Sequence, residues 1–225
     1  LRVDAAVERV GGASARQVEQ LIPAEHALRP LHEDNEQIVF SGNTDCYQPL
    51  EAAHTLTRRC LEVCAEYQNP VSIITKNALV ARDLDVLGRL RDVTQVRVYI
   101  SLPFGDPAHA RALEPGASPP ARRFAAMEAL SRAGIETGIA LAPVIVGLND
   151  GQIGEQLERA CQAGARHAFI TALRLPGEVK DVFENRLRET LPGYANKVLH
   201  GIHQIRRGKL NESAFGERMR GNGPR

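Results

Sequence analysis

The chain has no tryptophan, and its aromatic side chains are limited to 4 tyrosines and 6 phenylalanines in 225 residues. That scarcity argues against aromatic platforms for stacking single-stranded nucleic acid. Cysteine is rare as well. Cys46, Cys60, Cys64 and Cys161 are too few and too scattered for a disulfide scaffold, and reduced thiols are expected. Neither sign of charge is in excess: 28 Lys and Arg face 27 Asp and Glu. No global attraction to nucleic acid or a membrane surface follows, although local patches stay open. No apolar run approaches the roughly 18 residues of a membrane span. The opening LRVDAAVERV lacks the charged, apolar, small-residue order of a secretory signal. The expected setting is cytoplasmic, with no membrane partner.

What is present is a chain long enough for one large α/β domain or two small ones, and a repeating local pattern. The pattern is clearest in QIVFSGNTDCYQPLE, residues 37–51. Ile38-Val39-Phe40 reads as a buried strand, the chain then turns polar, and Pro49 stands where a helix begins. Similar runs predict strands over residues 37–41, 71–75, 96–101, 137–142 and 167–173. Helices are expected over about 50–67, around Leu84, Leu87 and Leu90 with Asp83 as a cap, and from Asp106-Pro107 to Leu113. Further helices are expected from Pro119-Pro120 to Gly134 and over about 151–163, 178–190 and 193–206. The strands are near-continuous apolar runs, as burial on both faces demands, and the connections suit helical crossovers. The fold class is therefore α/β, a parallel sheet either open or curled into a partial (β/α) barrel, with about five strands visible. We read a helical segment and connector over residues 1–36, one barrel domain over 37–207, and a basic, Gly-rich tail over 208–225.

In such folds the C-terminal strand ends carry binding and catalysis. Here they present Ser41, Gly42, Asn43, Thr44 and Asp45, then Thr75, Lys76 and Asn77, then Ser101, Pro143 and Arg174. One carboxylate, one ammonium, one guanidinium and several hydroxyls suit a polar ligand with its own carboxylate, amine and hydroxyls. Equally, Lys76 and Arg174 could pair with Asp45 or each other, or sit in solvent. Cys46 follows Asp45 at this mouth. Its thiol either takes part in the chemistry at that mouth or has no role. Cys60 and Cys64 are four apart on an apolar helical stripe, and with Cys161 they are read as core. His200 and His203 share a helical face without an evident third ligand, so no metal site is assigned.

The segments SGNTDCYQPLE, TRRCLEV, PVSIITKNALV, RDLDVL, SLPFGDP, RALEPGA, APVIVGLND, LRLPGEVK and KLNESAFGERMRG also carry a likeness. They resemble a bacterial radical S-adenosylmethionine family related to spore photoproduct lyase, the DNA-repair-photolyase-like group, over about residues 35–222. The resemblance implies a partial (β/α) barrel, a [4Fe-4S] cluster, and S-adenosylmethionine cleaved reductively to a 5′-deoxyadenosyl radical. It places Ser41–Asp45 near the methionine amino group. Thr75, Lys76, Ser101 and Arg174 would lie near the carboxylate and ribose, with Ala142, Pro143, Val144 and Ile145 beside the adenine. Members carry a Cys-x3-Cys-x2-Cys loop ahead of the SGNTD segment, and this chain has no cysteine before Cys46.

The expectation is a chain whose first βα unit is missing or degenerate, through truncation, internal deletion or loss of the chemistry, and which cannot assemble the usual cluster. The alternative is a degenerate barrel that binds S-adenosylmethionine, a nucleotide or nucleic acid without catalysis. A third option is an aldolase-like lyase using Lys76 as a Schiff base. Without a preceding strand, residues 37–41 would be an edge open to self-association or to cover by the N-terminal helix. The tail arginines Arg206, Arg207, Arg218, Arg220 and Arg225, with Lys209, leave contact with nucleic acid open.

Overall fold

The structure, a computed structural model, describes residues 37–41 and 44–205. The N-terminal helical segment, Gly42, Asn43 and the basic tail lie outside the described residues. One five-stranded parallel sheet holds β1 (Ile38–Phe40), β2 (Val71–Thr75), β3 (Val96–Ser101), β4 (Glu136–Val144) and β5 (His167–Ala172), side by side in chain order. The register puts Ile38 beside Val71 and Val71 beside Val96. This one-way order of parallel strands is the α/β partial barrel that the sequence predicts. The helices are α1 (Glu51–His54), α2 (Leu56–Glu66), α3 (Leu84–Val93), α4 (Pro107–Leu113), α5 (Pro120–Arg132), α6 (Ile153–Gln162), α7 (Val179–Thr190) and α8 (Pro192–Ile205). Short 3-10 turns, Ala78–Asp83 and Asp150–Gln152, lead into α3 and α6.

Strand alternation sorts the sheet into two faces. Val71, Ile73, Val98, Ile100, Ile139 and Leu141 turn one way and pack with Leu61, Leu87, Leu90, Met127 and Leu130 of the helices. A second core joins Phe104, Ile145 and Leu175 to Leu187, Val198 and Ile202 of α7 and α8. On the other sheet face Tyr99 meets Phe169 edge-on at 5.1 Å between ring centroids. Gly138 makes room for them, since a Cβ there would stand 2.6 Å from the Tyr99 ring. Nearer the strands' N-terminal ends, Glu136 accepts a hydrogen bond from Arg97 and pairs with His167. The Arg97 guanidinium in particular holds the Glu136 carboxyl below its ordinary range.

Four local expectations are corrected. The helix expected over 50–67 is two helices, broken at Thr55, whose φ of 50° is left-handed. Ahead of the break, Leu50 and Ala53 are exposed. Asp83 precedes α3 but makes no side-chain cap, because its carboxylate is taken by Tyr47, Arg58 and Arg82. Cys161 is exposed, not core. Burial on both faces holds for the middle of the sheet only: Val39 on β1 and Ile170 on β5 are exposed.

Candidate functional site

Parallel winding brings the C-terminal ends of all five strands to one edge of the sheet. The rim begins at Ser41, just past β1. Its φ of 93° lies in a region non-glycine residues rarely occupy, and such strain concentrates at functional sites. Ser41 Oγ accepts the Cys46 amide at 3.1 Å, which closes a tight loop. Asp45, inside that loop, is the pivot. Its Oδ1 accepts the Tyr47 amide at 2.9 Å and the Thr75 hydroxyl at 2.7 Å, and its Oδ2 accepts the Lys76 amide at 2.8 Å. One carboxylate thus fastens the loop after β1 to the tip of β2. Thr44 is exposed beside it.

The rim continues through charge. Lys76 Nζ, partly exposed, lies 3.0 Å from Glu114 Oε1. Glu114 Oε2 takes the Arg123 guanidinium at 2.7 Å, and Arg123 is 1% exposed. Arg123 also donates to the carbonyls of Ser101, at 2.8 Å, and Ser118, at 2.6 Å, which fixes the tip of β3. Asn149, buried, donates to the carbonyls of Pro103 and Pro143 and accepts the Ile145 amide, so it ties the β3 and β4 ends together. Val144 ends β4, pairs with Ala172 and packs against the main core. Arg174 is exposed just beyond β5.

Of the residues expected at the site, Ser41, Asp45, Thr75 and Lys76 form one bonded group, and Ser101 joins it through Glu114 and Arg123. Val144 and Arg174 stand at the next two strand ends. Sequence reasoning missed Glu114, Arg123 and the buried pair Glu51 and Asp83. For Glu51, Asp83 and Glu114 the available signal was that each lies inside a segment that carries the family likeness; Arg123 lies outside all of those segments.

The thiols behave unlike metal ligands. Burial pushes Cys46 up to about 12, against a weaker opposing hydrogen bond to Ser41, and burial likewise pushes Cys64 to about 12 and raises Cys60. No group of three or more His, Cys, Asp or Glu among the described residues could hold a metal ion. His200 bonds to Gln204. No helix among the described residues is long and apolar enough to cross a membrane.

A parallel, partly open (β/α) barrel with polar groups gathered at its C-terminal strand ends belongs to the class that binds ligands at that edge. The chain belongs to the Radical SAM superfamily, whose family model matches residues 8–183. It is 31% identical over 160 residues to uncharacterized proteins of Mycobacterium bovis and Mycobacterium tuberculosis, covering 70% of this chain and 47% of each relative. The chain therefore spans about half the length of the curated relatives it matches. Its fold is similar to that of spore photoproduct lyase. For a cysteine-to-serine mutant the TM-score is 0.57 at 20% identity, covering 75% of this chain and 51% of the other. For a double mutant with bound AdoMet and dinucleoside spore photoproduct it is 0.56 at 20% identity, with the same coverage.

Superfamily membership implies S-adenosylmethionine and a [4Fe-4S] cluster. The donor set at the rim fits the first. The second needs thiolates that converge, and the four thiols here do not. Cys46 is in the rim loop, Cys60 and Cys64 lie along α2, Cys161 is on α6, and burial keeps the first three protonated.

Proposed function

We propose that this chain supplies the S-adenosylmethionine-binding rim of a radical-SAM-type protein. The methionine amino group would meet the Ser41, Gly42, Asn43, Thr44 and Asp45 loop. The carboxylate and ribose would meet Thr75, Lys76, Ser101 and Arg174, and the adenine would lie beside Val144. What carries this reading is the Asp45 carboxylate bonded at once to Tyr47, Thr75 and Lys76. A carboxylate has about four lone-pair sites, so three accepted bonds leave room for one ammonium donor. Lys76 gives one of its roughly three N–H groups to Glu114 and keeps the others for a ligand carboxylate. The same pairing makes Lys76 a poor Schiff-base nucleophile, which disfavours the aldolase-like option.

The chain's own thiols do not supply cluster ligands, so we assign this chain the binding role and not reductive cleavage. Cys46 retains its proton, and an S–H group is what a hydrogen-atom donor requires. It is the residue of this chain that we assign to that role wherever a cluster supplies the radical. The spore photoproduct lyase structures hold a dinucleoside lesion. We carry over a nucleic-acid lesion as the substrate class, with the basic residues from Arg206 onward as phosphate contacts.

Calorimetric titration tests the binding half. Saturable heat with S-adenosylmethionine is expected, weakened about tenfold in Asp45→Asn, on the scale of one lost hydrogen bond to a charged group. A folded chain that gives no heat sinks the reading. Anaerobic treatment with iron and sulfide is expected to leave no stable [4Fe-4S] spectrum. A stable cluster that cleaves S-adenosylmethionine on reduction would overturn the non-catalytic half.

A further inference from the structure

Behind the rim loop lies a buried charge network that the binding reading does not use. Glu51, 3% exposed, begins α1, and its side chain reaches forward across the helix break. Its Oε2 accepts the Thr57 amide at 2.9 Å, and its Oε1 takes Arg82 Nη2 at 2.9 Å. Arg82 Nη1 also donates to the Glu51 carbonyl at 2.9 Å. Asp83, with no exposed surface, accepts from Arg82 Nε at 2.8 Å and Nη2 at 2.9 Å. It also accepts from Arg58 Nη1 at 3.2 Å and from the Tyr47 hydroxyl at 3.1 Å. Arg58 in turn makes two bonds to Asp85, at 2.8 and 2.6 Å.

Fold stability alone does not explain this arrangement. Taking a carboxylate out of water costs several kcal/mol, and apolar side chains of similar volume usually serve stability as well or better. A network of this kind supplies defined geometry. Here the geometry is delivered to one place, the backbone of residues 45–47. Thr57 Oγ1 donates to the Cys46 carbonyl at 2.6 Å. Asn77 Nδ2 donates to the Tyr47 carbonyl at 2.6 Å. The Tyr47 ring is fully buried, with its hydroxyl anchored on Asp83. The Tyr47 amide is the donor to Asp45 Oδ1.

We infer that Glu51 and Asp83 are positioning residues for the rim. Through Arg82, Thr57 and Tyr47 they set the pose in which Asp45 meets its ligand. This deepens the binding reading above and, where it concerns the ligand, rests on it.

The test is Tyr47→Phe in the full chain, which removes one hydroxyl and leaves Asp83 bonded to both arginines. The stability control is Ile73→Val, a core change that removes none of the network's hydrogen bonds. Residue-resolved amide exchange is measured first. The amides of Cys46, Tyr47 and Lys76 report the Asp45 loop directly, because each donates to Ser41 or Asp45. In Tyr47→Phe these amides are expected to exchange about tenfold faster, on the scale of one ordinary hydrogen bond. Those of Ile73, Val98 and Ile100 should be unchanged, and Ile73→Val should not reproduce the pattern. Unchanged loop amides, or equal acceleration throughout the sheet, overturn the inference. Titration with S-adenosylmethionine is the second readout, with about tenfold weaker binding expected in Tyr47→Phe and wild-type affinity in Ile73→Val. A wild-type chain that takes up no S-adenosylmethionine overturns the ligand reading by itself, whereas wild-type affinity in Tyr47→Phe overturns the inference by itself.

Discussion

At Cys46 the backbone and the side chain do different work. The amide closes the rim loop onto Ser41 and the carbonyl accepts Thr57, while the thiol is half-buried beside them and stays protonated. Cys64, 1% exposed in the main core, is protonated for the same reason, desolvation of the would-be thiolate. A consequence for stability follows from the direction of these shifts. A thiol whose folded pKa is raised from about 9 to about 12 is neutral in both states below pH 9. Above that, the unfolded chain ionises and the folded chain does not, so stability is lost as pH rises through the 9–12 window. For Cys64 the loss at pH 10 is roughly 1 kcal/mol. Urea unfolding at pH 8 and pH 10 checks it. Cys64→Ala should be less stable than wild type at pH 8 and should shed about 1 kcal/mol less between the two pH values. Equal losses in the two proteins would show that Cys64 does not titrate in this way.

At the scale of elements, β2, β3 and the helices opened by Asp106-Pro107 and Pro119-Pro120 were legible because local chemistry decides them. Apolar runs make strands, and Asp106 caps α4 by accepting the Ala108 amide. What sequence could not show is made by partners far along the chain. The break between α1 and α2 is held by Glu51, whose carboxylate is fixed by an arginine 31 residues away. Asp83 looked like a cap and is a buried acceptor for Tyr47, 36 residues upstream. Lys76 stands just past the end of β2, and its partner Glu114 is 38 residues on. Arg123 is the extreme case: polar and on a helix, it reads as solvated, yet it is the largest of the fully buried side chains and clamps α5 to β3 and to Glu114. Replacing it by Met keeps much of the volume but strands the carbonyls of Ser101 and Ser118 and leaves Glu114 with Lys76 alone. Breaking one side of a buried ion pair costs about 3–5 kcal/mol. Chemical denaturation should show a loss in that range for Arg123→Met, and a loss below about 1 kcal/mol would mean that the clamp contributes little.

At the scale of the whole molecule, the described sheet ends at two edges of unequal length. β1 offers three residues and exposes Val39, while β5 offers six and exposes Ile170 at 52%. Among the described residues no further strand pairs with either edge. An unpaired strand presents free amides and carbonyls in a row, and charge on the strand is the usual deterrent to pairing with another chain. The sequence leads us to expect association through residues 37–41, and the structure adds a second, longer candidate at the opposite edge. If sheet edges govern association, the protein should form dimers at micromolar concentrations in sedimentation velocity. A lysine on an edge should then shift the distribution toward monomer, and Ile170→Lys should act more strongly than Val39→Lys, because β5 has about twice as many backbone groups to pair. Dimers unaffected by either lysine would place the contact elsewhere, on the helical layer. A strict monomer at every concentration would mean that both edges are covered in the full chain.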